Sequence, residues 1–126
     1  MSESPANIEV TVVTQHIQEQ SDADNERYVF AYTITIKHNG GLPCQLLNRH
    51  WLITDGSGHI EEVRGEGVVG VQPKLAPGES YEYTSGAILK TPVGAMHGEY
   101  GFVTEAGARF EVAIAPFSLS IPSLVH

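Results

Sequence analysis

Histidine and carboxylate side chains stand close together in the segment TDGSGHIEEVRGE, in the middle of the 126-residue chain. On a strand, His59 and Glu61 would share a face, and a residue from a neighbouring strand could complete a weak divalent-metal site with them. The sequence has neither the Cys/His spacing of a structural zinc site nor an oxygen-rich loop of the calcium-binding type. His59 and Glu61 are therefore weak candidates for metal ligands, and no cofactor is predicted.

Three glycines follow this segment, Gly65, Gly67 and Gly70, with the spacing GxGxxG. In nucleotide-binding proteins this spacing joins a strand to a helix, and the N-terminus of that helix receives the pyrophosphate. Here the prolines of VQPKLAPG exclude a regular helix after the motif, and Glu66 places a carboxylate inside it. We therefore predict a structural role for the glycines, which permit positive φ or close backbone approach where the chain changes sheets.

A group of polar side chains surrounds the single tryptophan. Such a group near one end of a hairpin suits recognition of a protein partner through an edge strand or an end loop. Alternatively, Trp51 belongs to the core and the charges only solvate an edge strand. The candidates for ligand or partner contact are Arg49, His50, Trp51, Glu61, Glu62, Arg64 and Glu66.

No arrangement of side chains favours catalysis. Neighbouring residues of a strand point to opposite faces, so the adjacent Glu61 and Glu62 cannot act as a carboxylate pair. Serine, histidine and aspartate residues occur, but without a nucleophile elbow or a general-base motif. We therefore expect that the protein is not an enzyme.

The remaining histidines and the cysteine have simpler interpretations. Cys44 follows Pro43 and has no basic neighbour in sequence, which favours a small buried residue over a nucleophile. Ordinary loop or surface positions are expected for His16, His38, His97 and His126.

Composition limits the classes of partner. The chain has 7 basic and 15 acidic residues, a formal net charge of −8, which argues against binding to nucleic acid or to an anionic membrane surface. There is one cysteine, and no apolar run reaches the ~20 residues that a membrane helix needs. The first twenty residues lack the basic start and the apolar region of a secretory signal, so none is expected. A cytoplasmic protein is expected, as a monomer or an edge-paired homodimer.

Alternation of apolar and polar residues predicts the strands. The clearest runs from Arg27 to Lys37, where every even position is a large apolar residue. Further strands are predicted at residues 8–13, 45–55, 59–64 (an exposed or edge strand after a turn at 55–58), 80–84, 100–102 and 109–114. Loops are predicted at 18–26 and 86–98, Pro116 is expected to end the last strand, and Phe117 and Leu119 to pack back on the sheet.

Within the strand 45–55, alternation divides the side chains between two faces. One face receives Leu47, Arg49, Trp51 and Ile53, and the other receives Leu46, His50 and Leu52. An arginine on the tryptophan face is unexpected, so we predict that Arg49 lies at the rim, is shifted by a bulge, or stacks on an aromatic ring.

Many short strands with regular turn signals and no helical stretch predict an all-β fold. We expect one domain, residues 1–126, built as an antiparallel two-sheet sandwich of the immunoglobulin or fibronectin type III kind, with residues 1–7 and 120–126 loose. The lack of a cysteine pair favours the fibronectin type III plan.

The sequence resembles the ApaG family from about Val10 to Leu119. Four segments together carry this resemblance: LLNRHWLITDGSGHIEEVRGEGVVG, QPKLAPGESYEYTSG, GEYGFVT and RFEVAIAPFSL. It implies a fibronectin-type sandwich and a small bacterial cytoplasmic protein. ApaG proteins are linked to cobalt resistance and magnesium efflux, without an established biochemical activity, and their glycine motif has invited a pyrophosphate-binding interpretation. Related domains act as interaction modules in larger eukaryotic proteins, including certain F-box proteins.

Residues and resemblance together predict a non-catalytic protein-interaction or regulatory module. The alternative is a protein that binds a small ligand, either a divalent cation or a phosphate compound.

Overall fold

The computed structural model describes residues 4–122, and nearly all of them belong to antiparallel strands. The strands are β1 (Ala6–His16), β2 (Tyr28–Gly41), β3 (Cys44–Asp55), β4 (Ile60–Glu66), β5 (Lys74–Leu75), β6 (Ser80–Leu89), β7 (Val93–Thr104) and β8 (Arg109–Ser120). Within the acidic loop between β1 and β2, Gln18–Gln20 and Ala23–Asn25 each form one turn of 3-10 helix. No α-helix occurs among residues 4–122, which confirms the all-β prediction. No helix in this part of the chain is long and apolar enough to cross a membrane.

The strands form two antiparallel sheets. One has three strands in the order β1-β2-β6, and the other has five, in the order β4-β3-β7-β8 with β5 paired to the start of β3. Each sheet turns an apolar face towards the other, as expected from period-two alternation. The core residues come from both sheets and include Phe30, Tyr32, Ile34, Ile36, Leu46, Trp51, Tyr100, Phe102, Ile114 and Leu119. The predicted two-sheet sandwich is confirmed.

Trp51 lies at the centre of this core, with 2% of its surface exposed. Its ring packs edge-to-face against Tyr32 of the other sheet at 5.6 Å and against Tyr100 and Phe117 of its own sheet at 6.3 and 5.9 Å. Aromatic clusters of this kind bury a large apolar area and supply much of the stability of a small core. Trp51 is therefore a core residue, and its side chain is not available to a partner.

A β-bulge in β3 corrects the predicted faces of that strand. The pairing of β3 with β7 shifts between Leu46 and Asn48, so one extra residue, Leu47, enters the strand. As a result Leu46 and Trp51, five positions apart, both point into the core, whereas strict alternation places them on opposite faces.

Pairing also overrides the loop predicted at 86–98. β6 continues to Leu89, where it pairs with Tyr28 of β2, and β7 already begins at Val93. Gly94 suits its place in β7, because a Cβ there would lie 2.6 Å from the Thr54 carbonyl oxygen of β3. Only residues 90–92 connect the two strands, since ladder pairing and burial outweigh the local turn signals.

Pro116 does not end the last strand, which continues to Ser120. The register of β7 and β8 shifts between Met96 and Gly98, opposite this proline, and β8 is an edge strand. Proline is tolerated at bulges and on sheet edges because no ladder hydrogen bond is needed from its nitrogen. Leu119 is fully buried and Phe117 is partly buried, so both pack back on the sheet as predicted.

The chain ends differ partly from expectation. β1 begins at Ala6, which is buried and paired with Gly41, and Ser120 still belongs to β8. The remaining parts of the segments expected to be loose, residues 1–3 and 123–126, lie outside the described residues, and so does His126.

His38 is not a surface residue but is completely buried at the end of β2. Its Nε2 lies 2.8 Å from the Leu42 carbonyl oxygen, and its Nδ1 accepts a hydrogen bond from the Gly40 N–H at 3.2 Å. The imidazole satisfies two backbone groups that the chain cannot pair in a ladder at this turn, which explains its burial.

Candidate functional site

Charged side chains from four strands meet on the outer face of the five-stranded sheet. His50 of β3 lies between the other two strands on this face, because the register pairs it with Arg64 of β4 on one side and with Glu99 of β7 on the other. Its Nε2 is 2.8 Å from Glu62 Oε2, and its Nδ1 is 3.6 Å from Glu99 Oε1. Arg64 Nη2 lies 3.3 Å from the same Glu62 oxygen. We call Glu62, Arg64, His50, Glu99 and Glu111 the outer charged row.

The two ends of the outer charged row differ in their affinity for protons. At the β4 end, the hydrogen bond from His50 and the positive charge of Arg64 hold the pKa of Glu62 below its usual range. At the β8 end, a hydrogen bond and like-charge repulsion from Glu99 raise the pKa of Glu111. The row therefore joins a carboxylate stabilised in its ionised form to a pair of carboxylates that repel each other.

A shallow open cleft of about 440 Å³ lies along this row. Its lining includes three glutamates (Glu66, Glu99 and Glu111), two arginines (Arg49 and Arg64), His50 and Asn48. Carboxylates outnumber cationic groups there, so the cleft favours a positively charged group over an anion.

Arg49 lies on the opposite face of β3, at the rim of the core. Its Nη1 donates hydrogen bonds to the carbonyl oxygens of Glu66 and Gly67, at 3.0 and 2.9 Å. A Cβ at Gly65 would lie 2.7 Å from the guanidinium carbon, so the first glycine of the motif makes room for this arginine. Arg49 thus fastens the glycine-rich segment to β3 and lies at the rim, one of the predicted positions.

The other two glycines serve a tight turn. Gly67 has φ +65°, and its N–H donates to the Leu47 carbonyl at 2.8 Å. Val68 and Val71 exchange backbone hydrogen bonds of 2.7 and 3.0 Å around Val69 and Gly70, both of which have positive φ, as in a type I′ hairpin turn.

The turn leaves little for a phosphate to bind. The N–H groups of Gly67, Val68 and Val71, which lie in and next to the motif, are donated to carbonyl oxygens of the chain. A phosphate loop needs such donors free and aimed at one point. The geometry thus supports the structural interpretation of the GxGxxG spacing. The predicted change of sheets at this point is wrong, because β4 before the motif and β5 after it both belong to the five-stranded sheet.

The weak metal candidates lie at the β3–β4 hairpin. The Asp55 carboxylate accepts hydrogen bonds from the Ser57 hydroxyl and from the N–H groups of Ser57 and His59, and these bonds lower its pKa. Register places Glu61 opposite Ile53 and Glu62 opposite Leu52, so the two glutamates point to opposite faces as predicted. Among residues 4–122, no three His, Cys, Asp or Glu side chains are grouped so that they could hold a metal ion.

The structure thus brings together some of the predicted site residues and separates others. His50, Glu62 and Arg64 meet in the outer charged row, and Glu66 lies beside it in the cleft. Arg49 and Glu61 lie on the core-facing side of the sheet, and Trp51 is buried. Glu99 and Glu111 were not foreseen, although each stands next to an aromatic or branched core residue at period two, the signal for an outward side chain.

Cys44 is buried, as predicted, and desolvation raises the pKa of its thiol. Both properties oppose thiolate formation, so a nucleophilic role is not favoured.

Known proteins similar to this chain extend over its whole length. A family model described as the ApaG domain matches residues 18–104. The protein named ApaG of Pseudomonas putida is 53% identical over 126 residues, which is all of both chains. That of Escherichia coli is 56% identical over 117 residues, 93% of this chain and 94% of that protein.

A solved structure is similar to this chain in both sequence and fold. The crystal structure of a Bordetella pertussis protein assigned as ApaA has 52% sequence identity and a TM-score of 0.90, and the match covers 94% of this chain and 96% of that one. A family model matching most of the chain, full-length relatives and a shared structure agree, and the chain belongs to the ApaG family.

Proposed function

We propose that the chain is a non-catalytic protein-interaction module and that the outer charged row is its contact surface. One observation carries this proposal: side chains from β4, β3, β7 and β8 converge on a single exposed face, where three carboxylates, those of Glu62, Glu99 and Glu111, stand against one arginine. A complementary partner presents lysine or arginine side chains.

Energetics support a role in binding over a role in folding. Exposed ion pairs between long side chains contribute little to stability, with a median of about 0–1 kcal/mol. The same charges act strongly on association, because they steer an oppositely charged partner and fix its register. Arginine on the partner could bind a carboxylate through two parallel hydrogen bonds.

The same geometry disfavours catalysis. Both nitrogens of His50 face carboxylates, at 2.8 and 3.6 Å, and the row lies on an open sheet face. Electrostatic catalysis depends on a site that excludes water, which a shallow cleft does not provide.

Site-specific photo-cross-linking tests the proposal. Ala113 is an exposed neutral residue paired with Glu99, next to the row, and Val13 is an exposed residue on the outer face of the other sheet. With a photoreactive residue at either position, we expect a partner to be captured from position 113 and not from position 13.

Charge reversal then tests whether the row itself binds the captured partner. Glu111→Lys should lower the association rate by roughly tenfold at low salt, whereas the matched change Glu19→Lys in the exposed loop should not. Equal capture from both positions, or equal effects of both reversals, would remove the row as the contact surface.

Melting temperatures test the competing function, binding of a divalent cation or a phosphate compound. Mg²⁺, Co²⁺, ATP or pyrophosphate at 100 times its Kd would add about 2.7 kcal/mol to the free energy of unfolding. A shift that disappears in Glu99→Gln would assign the cleft to a small ligand and replace the proposal.

A further inference from the structure

An irregularity in the pairing of β1 and β2 exposes one asparagine. Two residues of β2, Asn39 and Gly40, lie opposite a single residue of β1, Asn7, because the register shifts at this point. Residues at such a bulge lie outside the regular ladder, so their backbone is less constrained than in the strand. Asn39 is exposed to water, and an added Cβ on Gly40 would meet no atom within 4 Å.

The sequence at this point carries a known chemical weakness. An asparagine side chain is attacked by the backbone nitrogen of the next residue, and the attack is least hindered when that residue is glycine, which has no side chain. The chain contains four asparagines, and only Asn39 precedes a glycine. Asn7, Asn25 and Asn48 precede isoleucine, glutamate and arginine.

A buried imidazole contacts the attacking nitrogen. His38 Nε2 lies 2.8 Å from the Leu42 carbonyl oxygen, and only a protonated ring nitrogen can bond a carbonyl. Nε2 therefore carries the hydrogen, and Nδ1 carries the lone pair that accepts the Gly40 N–H at 3.2 Å. This is the geometry required of a general base.

We propose that Asn39 is a site of spontaneous deamidation, with His38 as the general base. Nδ1 takes the proton of the Gly40 amide, and the amide nitrogen attacks Asn39 Cγ. The imidazolium returns the proton to the departing nitrogen, which leaves as ammonia while a succinimide ring closes. Water then adds to either carbonyl of the ring, giving aspartate or isoaspartate at position 39.

Deamidation alters the end of the β1–β2 pair. Asn39 Nδ2 donates a hydrogen bond to Glu9 Oε1 at 3.2 Å. After deamidation this donor is lost and a second carboxylate stands beside Glu9, which is unfavourable across a strand pair. Isoaspartate also adds a methylene to the backbone of β2. The expected consequence is a looser attachment of β1 near its start.

Peptide mapping by mass spectrometry tests the proposal on the full chain. The folded protein is incubated at neutral pH and body temperature in water enriched in heavy oxygen. We expect Asn39 to convert at least roughly tenfold faster than the exposed Asn25, because glycine follows Asn39 and a base contacts the attacking nitrogen. Aspartate and isoaspartate should both form, each with one heavy oxygen atom.

The role of His38 needs two further comparisons. In guanidinium chloride the imidazole is no longer held against Gly40, so Asn39 should convert more slowly in the unfolded chain than in the folded one. A folded His38→Gln variant, checked by circular dichroism, should convert Asn39 roughly a hundredfold more slowly. If that variant does not fold, the folded and unfolded wild-type rates decide.

Three results would overturn the proposal: conversion of Asn39 no faster than that of Asn25, conversion of Asn39 in the folded chain no faster than in the unfolded chain, or an unchanged rate in folded His38→Gln.

Discussion

Two glycines of the GxGxxG motif allow the structural interpretation to be tested quantitatively. Gly67 and Gly70 both have left-handed backbone angles, φ +65° and +76°, but they differ in surroundings. A Cβ at Gly70 would meet no atom within 4 Å, whereas a Cβ at Gly67 would lie 2.5 Å from the Val71 carbonyl oxygen. Gly67→Ala and Gly70→Ala therefore share the backbone strain and differ in the clash.

The structure sets the expected magnitudes. A left-handed conformation costs an L-residue about 1–2 kcal/mol, and Gly70→Ala should lose about that much free energy of unfolding. In Gly67→Ala the Val71 carbonyl must also move, which weakens its 2.7 Å hydrogen bond from the Val68 N–H. A net hydrogen bond is worth about 1 kcal/mol, so the total loss should be about 2–3 kcal/mol.

Equilibrium unfolding in urea measures both losses. Trp51 is the only tryptophan and is buried, so its fluorescence reports the loss of the core. The two variants should differ by about 1 kcal/mol, and with a slope of about 1–3 kcal/mol per M for a small protein their midpoints should differ by about 0.3–1 M. Equal midpoints would refute the argument, because the contact with Val71 would then not explain why residue 67 is glycine.

Four further predictions concern the turn, the core and the outer charged row. Val69 is a β-branched residue at φ +49°, a conformation that asparagine adopts more easily than valine in a type I′ turn. Val69→Asn should therefore raise the free energy of unfolding by about 1 kcal/mol. An unchanged urea midpoint would contradict this. The hydroxyls of Tyr83 and Tyr100 form a hydrogen bond with each other in the core, so Tyr83→Phe should lower the free energy of unfolding by about 1–3 kcal/mol. Changing both tyrosines to phenylalanine should cost less than the sum of the two single changes, because neither hydroxyl is then left without its partner. Burial raises the pKa of both phenols above their ordinary 10.0, so above pH 10 only the unfolded chain loses these protons. The free energy of unfolding should therefore fall as pH rises, by about 1.4 kcal/mol per pH unit per tyrosine. The fall should be less steep in the variant that carries both Tyr83→Phe and Tyr100→Phe, which lacks the two phenols. His50→Leu, which removes the donor, should raise the pKa of Glu62, followed by NMR, and an unmoved titration would show that the hydrogen bond from His50 does not hold that pKa down.

The elements that sequence alone predicted best are those with strong local patterns. In the strand between Arg27 and Lys37, the large apolar residues at even positions from Phe30 to Ile36 all lie in the core, and Tyr28 packs against it. The hairpin at 55–58 forms as predicted because its aspartate, serine and glycines favour a turn. In both cases the information lies within a few neighbouring residues, where pattern and propensity agree.

The predictions that failed depended on distant partners. The segment 86–98 pairs with β2 at one end and with β3 and β8 at the other, so two strands form despite Pro92 and Gly94. His38 is buried because it bonds the backbone of Gly40 and Leu42, which no periodic pattern reveals.

The candidate site shows the same division. The sequence alone placed His50, Glu62 and Arg64 in one hairpin, because β3 and β4 are joined by a short turn. Glu99 and Glu111 joined them only through the pairing of β3 with β7 and of β7 with β8.

Sequence by itself determined the all-β class, the hairpin turn, the family resemblance and the alternation between core and solvent in regular stretches such as residues 30–36. Tertiary structure alone decided the strand order, the bulge that brings Leu46 and Trp51 to one face, and the meeting of charges across four strands. The physical reason is range: side-chain alternation and turn preference act over a few residues, whereas register is set by contacts between segments far apart in the chain.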